Sequence, residues 1–412
     1  MKTPSRNNTA VIKRNAVPPS PTKVCMYVRG PARPDVRVMR EATALAEAGY
    51  AVSIVDVEDE SHRPIQEEFQ NICLKHIFKS KKVSKTRFIR IVFFRGDLLR
   101  IKGILRLLRT PANIYHAHDT SGLLPCYIAA LVRRKPLIFD AHELPLYDIS
   151  SYPYIFRLLL FFFLKFMLLR CAGVITVSPY IGEYIRVRYR IPEISLVRNV
   201  PPYRLVTKSN RLRQLLGLGN EVLIVLYQGN IQTDRNLEMW IYAARFLKPG
   251  IVIVMMGKAN NNVLKQFEAV IEREGVGNQV KILPPVPYED LLDWTSSADI
   301  GLVPHSPDHS LNVQWCLPNK LFEYIMAGLP VLATPLDAVK DVVNQYDIGQ
   351  IVPSFAPAAI AATIEAMLAD HATLGRMRRN AFKAVQQNLC WEQEKLRLLQ
   401  LYQNIPKAPT PF

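Results

Sequence analysis

Short apolar runs alternate with segments of helical period from residue 24 almost to the end of the chain. Val24–Val28, Ala51–Val57, Asn113–His116, Leu137–Asp140 and Val174–Val177 are brief and bounded by polar or turn residues, which predicts strands. Between them, Val36–Ala48 and Gly122–Arg133 carry apolar residues at helical spacing. The pattern resumes in the second half, with strands expected at Val222–Tyr227, Ile251–Met255, Val280–Leu283, Ile300–Val303, Val331–Ala333 and Gln350–Val352. Helices lie between these, and two or three more follow Ala356. Strands that alternate with helices build parallel sheets. The expected fold is therefore α/β, with two Rossmann-like doubly wound domains facing across a cleft. Pro201-Pro202 and the polar stretch to Asn210 form the expected hinge. The predicted division is a disordered tail over 1–22, domains over 23–203 and 204–388, and a terminal helical segment over 389–412.

One string concentrates local signals. Pro318-Asn319 is turn chemistry, Lys320 to Ala327 is a helical run, Gly328 stops it, and Val331-Leu332-Ala333 resumes a strand. A helix that opens right after such a turn directs its amides and positive dipole end outward, which favours a phosphate. Lys320 at that end opposes the dipole, a local conflict that a bound anion resolves. Glu323, three residues further on, is placed to accept hydrogen bonds from sugar hydroxyls.

Composition narrows the class. A chain of 412 residues suits two domains, and 49% hydrophobic with 21% charged residues is a folded profile. Six cysteines are scattered with no Cys-x-x-Cys pair, which argues for a reducing compartment and against structural zinc. The first 22 residues hold four prolines and no apolar core, so they do not read as a secretory signal. The net charge of +17 is lopsided. Residues 1–200 hold 32 Lys/Arg against 16 Asp/Glu, whereas residues 201–412 are nearly balanced at 20 against 19. One half therefore meets something anionic.

Two stretches in the basic half suggest a membrane surface. Leu98–Arg109 interrupts a leucine and isoleucine face with Arg100, Lys102, Arg106 and Arg109. Ile155–Leu169 contains seven unbroken apolar residues, Leu158–Leu164, flanked by Arg157, Lys165 and Arg170. It is too short to span a bilayer, and either an interfacial contact or a buried packing helix accounts for it. Nucleic acid is not expected, because aromatic interleaving and a recognisable binding module are both lacking. His116, His118, Asp119 and His142 form a conceivable metal set, but none is expected here.

Several strings carry a family resemblance: Asp35–Glu41 with Ala46–Tyr50, His116–Asp119, Asp140–Leu144, Gly173–Ser178, Gln228–Asn230 with Asp234–Leu237, and above all Leu317–Leu332. Together these resemble retaining glycosyltransferases of family 4, the glycosyl transferases group 1, which have the two-domain GT-B fold. The resemblance implies an acceptor-binding first domain, a nucleotide-sugar-binding second domain, and a last helix that returns to the first domain near Trp391 and Tyr402. It implies donor contacts at Gly229, Asn230, Arg235, Pro318, Asn319, Lys320, Leu321 and Glu323, with Glu323 on the ribose and Arg235 and Lys320 on the diphosphate. His142 would meet the donor sugar, making His142, Arg235 and Lys320 the catalytic set. Arg37, His118, Asp119 and Glu143 would line the acceptor side of the cleft.

Retention without a metal or other cofactor is implied, with a UDP- or GDP-linked sugar as the donor substrate. The expected acceptor is a lipid-linked glycan in cell-surface polysaccharide or glycolipid assembly. The expected location is cytoplasmic, peripheral on the inner face of the membrane. One departure stands out. Most of the family carries another Glu eight residues before the ribose-binding one, and Trp315 occupies that position here. Either backbone amides and neighbours such as Asn319 hold the sugar, or the site is weakened. A catalytically silent nucleotide-sugar-binding partner and a nucleotide-sugar epimerase are the alternative readings.

Overall fold

A computed structural model of the chain describes residues 21–59, 63–79, 94–146 and 152–405. Residues 1–20 of the expected tail and the basic segment 80–93 lie outside the described residues.

Eight strands form the first sheet: β1 (Lys23–Tyr27), β2 (Ala51–Glu58), β3 (Gln66–Phe69), β4 (Ile72–Phe78), β5 (Ile114–His118), β6 (Leu137–Ala141), β7 (Gly173–Thr176) and β8 (Ser195–Leu196). Their spatial order is β3-β4-β2-β1-β5-β6-β7-β8, parallel except for the β3–β4 hairpin at the edge. Six parallel strands form the second sheet: β9 (Leu223–Gln228), β10 (Ile251–Met256), β11 (Val280–Leu283), β12 (Ile300–Val303), β13 (Val331–Ala333) and β14 (Gly349–Ile351). Their order is β11-β10-β9-β12-β13-β14. Omitting the edge hairpin, both sheets start in the middle, grow one way, then cross back and grow the other. This is the Rossmann order, with switch points between β1 and β5 and between β9 and β12.

The central strands are continuous apolar runs because helices cover both faces. Val24 to Tyr27 and Ile251 to Met256 are all buried. The β3–β4 pair escapes the sequence reading for a physical reason. As an edge hairpin, Gln66-Glu67-Glu68-Phe69 buries little, and β4 places Lys75 and His76 in an otherwise apolar run.

The chain crosses between domains twice. The segment 199–210 links them without regular structure. The last helix, Trp391–Gln403, then packs on the first domain with Trp391, Leu398 and Tyr402 buried in its core. It is anchored by Arg198–Glu394 at 2.6 Å and by the Tyr402 hydroxyl 2.7 Å from His116 Nδ1. Direct contacts also cross the cleft. The Leu144 amide donates to Asn312 Oδ1 at 2.8 Å, Ser178 donates to the Trp315 carbonyl at 2.5 Å, and Asn199 donates to Asn319 Oδ1 at 2.9 Å.

Helices Phe94–Leu108, Asp119–Arg133 and Tyr154–Leu168 pack side by side on one face of the first domain. The third is not a buried packing helix. It buries only Leu164, Met167 and Leu168, and leaves Ile155, Leu159, Phe162, Phe163 and Phe166 in the open. Among the described residues no helix is long and apolar enough to cross a membrane.

Candidate donor and acceptor sites across the cleft

The carboxyl ends of the second sheet open onto a cavity of about 570 Å³, lined by both domains. Three loops build it. After β9, Gly229 turns with φ +122°, and a Cβ there would sit 3.3 Å from the Lys320 side chain. After β10, Gly257 lies so close that a Cβ would reach 1.7 Å from the Gly229 carbonyl. Two glycines thus let two strand ends approach and leave room in front of them. After β12, the chain carries His305 and, eleven residues later, Cys316, and these two residues lie on the cavity wall.

Helix Asn319–Met326 presents its amino end to this space, with Pro318, Asn319, Lys320 and Glu323 on the wall. Pro318 caps the helix without a side-chain hydrogen bond, so the capping role is left to other partners. Lys320 is buried, and its ammonium lies 4.1 Å from the Tyr227 ring centroid. Burial first, and then the nearby Arg235, push it down to about 7. Arg235 sits in the short turn Thr233–Arg235 on the same wall, bonded to Gln232 Oε1 at 3.3 Å. With Lys258 also on the wall, three cations face one cavity, a costly arrangement that an anion relieves.

Glu323 is held from behind. Gln228 at the end of β9 donates to Glu323 Oε2 at 2.6 Å and accepts from the buried Thr295 hydroxyl at 2.7 Å. Burial raises the Glu323 carboxyl above its usual range, against the opposing pull of the Gln228 hydrogen bond and Lys320. The neighbouring Tyr324 hydroxyl accepts from the Gln228 amide at 3.0 Å and so ties helix to sheet.

On the first-domain side, Asp140 at the end of β6 is the hub of a buried network. Arg37 grips it bidentately at 2.7 and 2.8 Å, and also contacts Glu41 at 3.0 Å and the Val197 carbonyl at 2.8 Å. His118 Nδ1 lies 3.3 Å from Asp140, and His142 Nε2 lies 2.9 Å from it. The other His142 nitrogen faces Asp119 at 3.3 Å. Burial by itself would lower His142, but Asp140 and then Asp119 lift it to about 9, so it stands as an imidazolium. Asp119 takes φ +57° at the start of its helix, the left-handed region that Asp tolerates better than most residues.

The structure corrects three of the expected roles. Arg37 and His118 do not line the acceptor cleft, since both are buried and Arg37 spends its guanidinium on Asp140, Glu41 and a carbonyl. They position Asp140 instead. Leu321 is not a donor contact, because its side chain lies in the core and its amide bonds the Pro318 carbonyl at 3.0 Å. Gly229, Asn230, Arg235, Pro318, Asn319, Lys320 and Glu323 come together on the cavity wall, joined by Glu143 from the first domain. His142 and Asp119 belong to the adjoining network.

Glu41, His116, His118 and Asp140 bring ligand atoms within 4.8 Å of one another. Arg37 already occupies one side of both carboxyls, pairing with Asp140, and burial pushes Glu41 up to about 8, so the cluster is poorly suited to a cation. A second cavity of about 600 Å³ lies at the amino ends of the first sheet, beside Tyr50, Asn113 and Pro136. In doubly wound sheets that is the end away from ligands.

Trp315 turns toward the first domain. Its ring lies 5.8 Å from that of Tyr184 and 6.4 Å from that of Tyr180. The sequence reading quoted Gln228 only within the Gln228–Asn230 string and gave it no role, and it missed His305 and Cys316. Gln228 and His305 each follow or end an apolar strand at the switch point, which is the one signal that could have singled them out.

Two facing Rossmann-like domains, with a cation-lined cavity at the switch point of the second, define the GT-B architecture. Comparisons with known proteins agree. Residues 208–384 match the family model for glycosyl transferases group 1, and residues 35–200 match that for glycosyltransferase family 4. The chain belongs to the family 4 glycosyltransferases.

A D-inositol 3-phosphate glycosyltransferase of Xylanimonas cellulosilytica is 26% identical over 235 residues, covering 56% of this chain and 54% of that protein. One from Streptomyces avermitilis is 28% identical over 193 residues, covering 44% and 40%. The chain thus spans about half the length of the curated relatives it matches. Among solved structures, sucrose-phosphate synthase from Thermosynechococcus elongatus superposes with a TM-score of 0.74 at 18% identity, covering 93% of this chain and 98% of that one. Anabaena HepE in complex with UDP-glucose gives 0.67 at 15% identity, covering 92% and 99%. These likenesses concern the fold.

Proposed function

We propose that the protein is a retaining glycosyltransferase that moves a sugar from a nucleoside-diphosphate donor to a lipid-linked or membrane-borne glycan acceptor. The observation that carries the donor half is the buried Lys320 ammonium at a helix amino end, where the repulsion of Arg235 outweighs the attraction of Glu323 and, among the described residues, no carboxylate forms a salt bridge with it. A diphosphate there gains two cations and the helix dipole. Glu323, fixed by Gln228, takes the ribose hydroxyls. As the glycosidic bond breaks, negative charge grows on the departing diphosphate, and preorganised cations stabilise it where it develops. Lys320 and Arg235 supply that charge themselves, so the reading needs no metal. That HepE, which shares the fold, takes UDP-glucose favours a UDP-linked donor, and a GDP-linked one is the second choice.

The acceptor half rests on the exposed apolar face of helix Tyr154–Leu168 and its basic neighbours. Phe162, Phe163 and Phe166 are open to solvent, with Lys165 on the same helix and Arg170 just beyond it. A patch of that chemistry suits an anionic bilayer surface, with rings among the acyl chains and basic groups at the headgroups. The reading has the enzyme peripheral on the cytoplasmic face, with a membrane-borne acceptor entering the cleft beside Glu143, and the exposed phenylalanine face supports it. The polysaccharide or glycolipid under assembly supplies that acceptor.

The decisive experiment incubates the protein with UDP- and GDP-sugars and a membrane lipid extract, and measures nucleoside diphosphate release and sugar incorporation. Incorporation into lipid, unchanged by a chelator, is expected. Tight nucleotide binding with neither hydrolysis nor transfer would favour the catalytically silent binding partner instead.

A further inference from the structure

We infer that His305 is a hydrogen-bonding partner of the donor's sugar, selecting for the transferred group rather than for the diphosphate. This rests on the donor-site reading above and names a residue that reading does not use.

Four observations converge. His305 lies two residues beyond β12, at the switch point between β9 and β12 where doubly wound sheets take their ligands. The residue lines the cavity together with Lys320, Arg235, Cys316 and Glu143. Its backbone is fixed from below, since the Thr334 hydroxyl donates to the His305 carbonyl at 2.5 Å. Yet the residue is only 3% exposed and, among the described residues, its Nδ1 has no hydrogen-bond partner. Buried polar nitrogens are ordinarily satisfied, and one left over beside a ligand cavity marks where a ligand group completes the set. An imidazole turns readily about its Cβ–Cγ bond, so either nitrogen can be presented to the cavity.

Charge decides which part of the donor it meets. Burial, then Lys320, Arg235 and His309, hold the His305 imidazole far below its usual range, at about 2. It is therefore a neutral donor-acceptor set between two cations and adds nothing to their attraction for phosphate. A neutral imidazole with one N–H and one lone pair matches a hydroxyl, which can both give and accept a hydrogen bond. The neighbouring Cys316 offers little competition, because its thiol donates to the Val313 carbonyl at 3.3 Å and burial pushes it up to about 11. Trp315 is engaged with Tyr180 and Tyr184 and points to the other domain. His305 is thus a neutral polar side chain on the second-domain wall of the cavity, beside Asn230 and Asn319, with a ring nitrogen still to be satisfied.

The test compares nucleotide with nucleotide sugar by calorimetry, using UDP and UDP-glucose, and GDP and GDP-mannose. The pair that binds wild type more tightly is carried forward to the variants. His305→Ala should leave the nucleoside diphosphate's Kd unchanged and weaken the sugar nucleotide about fivefold to tenfold, the worth of one hydrogen bond. His305→Gln, which keeps a donor and an acceptor, should recover most of that loss. Parallel weakening of both ligands, or of neither, overturns the assignment while leaving the donor site intact. Wild type that binds no nucleoside diphosphate overturns the donor-site reading and this inference with it.

Discussion

Lys320 carries the most legible tension in the molecule. An ammonium that titrates near 7 when folded and near 10.5 when unfolded binds fewer protons in the native state between those values. Its destabilising effect is therefore complete below pH 7 and fades as pH rises toward 10.5. Lys320→Met should stabilise the free chain by roughly 2 kcal/mol at pH 6 and by much less at pH 9.5, as read from urea unfolding. Arg37 should behave in the opposite sense. Arg37→Met strands the buried Asp140 carboxylate, and a loss of about 3–5 kcal/mol is expected in the same measurement.

The two residues also differ in how far the sequence reveals them. Lys320 and Glu323 stand in one contiguous string whose turn, helix start and stop can be read locally. Arg37 and Asp140 are 103 positions apart, and only the pairing of strand ends across the sheet shows that they spend their charge on each other. His305 is hidden in the same way, because its meaning depends on cations at 235 and 320 that fold around it.

At the scale of elements, the buried parallel strands were readable because burial on both faces demands unbroken apolar runs. The edge hairpin was not, since an edge strand is under no such demand. Helix Tyr154–Leu168 was read as an apolar segment, but its hydrophobicity runs around the helix and could not say which side is covered. The fold answers that by leaving the phenylalanine side open. Phe162→Ser with Phe163→Ser should cost little stability, as both rings are about half exposed. The pair should, however, abolish flotation with vesicles that contain anionic phospholipid. Retained flotation would remove the support for a membrane-borne acceptor.

Across the whole molecule, one layer logic is used twice and the uses have diverged. The first domain holds the positive charge and the open apolar face, and its strand ends carry the Asp140 network. The second is nearly neutral overall and turns Arg235, Lys258 and Lys320 to one cavity. The return of helix Trp391–Gln403 and the contacts of Asn312, Trp315 and Asn319 hold the two faces together. Long-range contacts of this kind leave no periodic trace, so the cleft's floor was less legible than its donor wall.

The central claim is that this cavity binds a nucleoside diphosphate through Lys320 and Glu323. Isothermal titration of UDP and GDP into the full chain at pH 6.5 and 8.5 tests it most directly. The expected result is one site per chain, tighter at pH 6.5 with less proton uptake than at pH 8.5, weakened at least tenfold by Glu323→Ala and lost in Lys320→Met. Binding that is equal in wild type and both variants, or absent for both nucleotides, would contradict it.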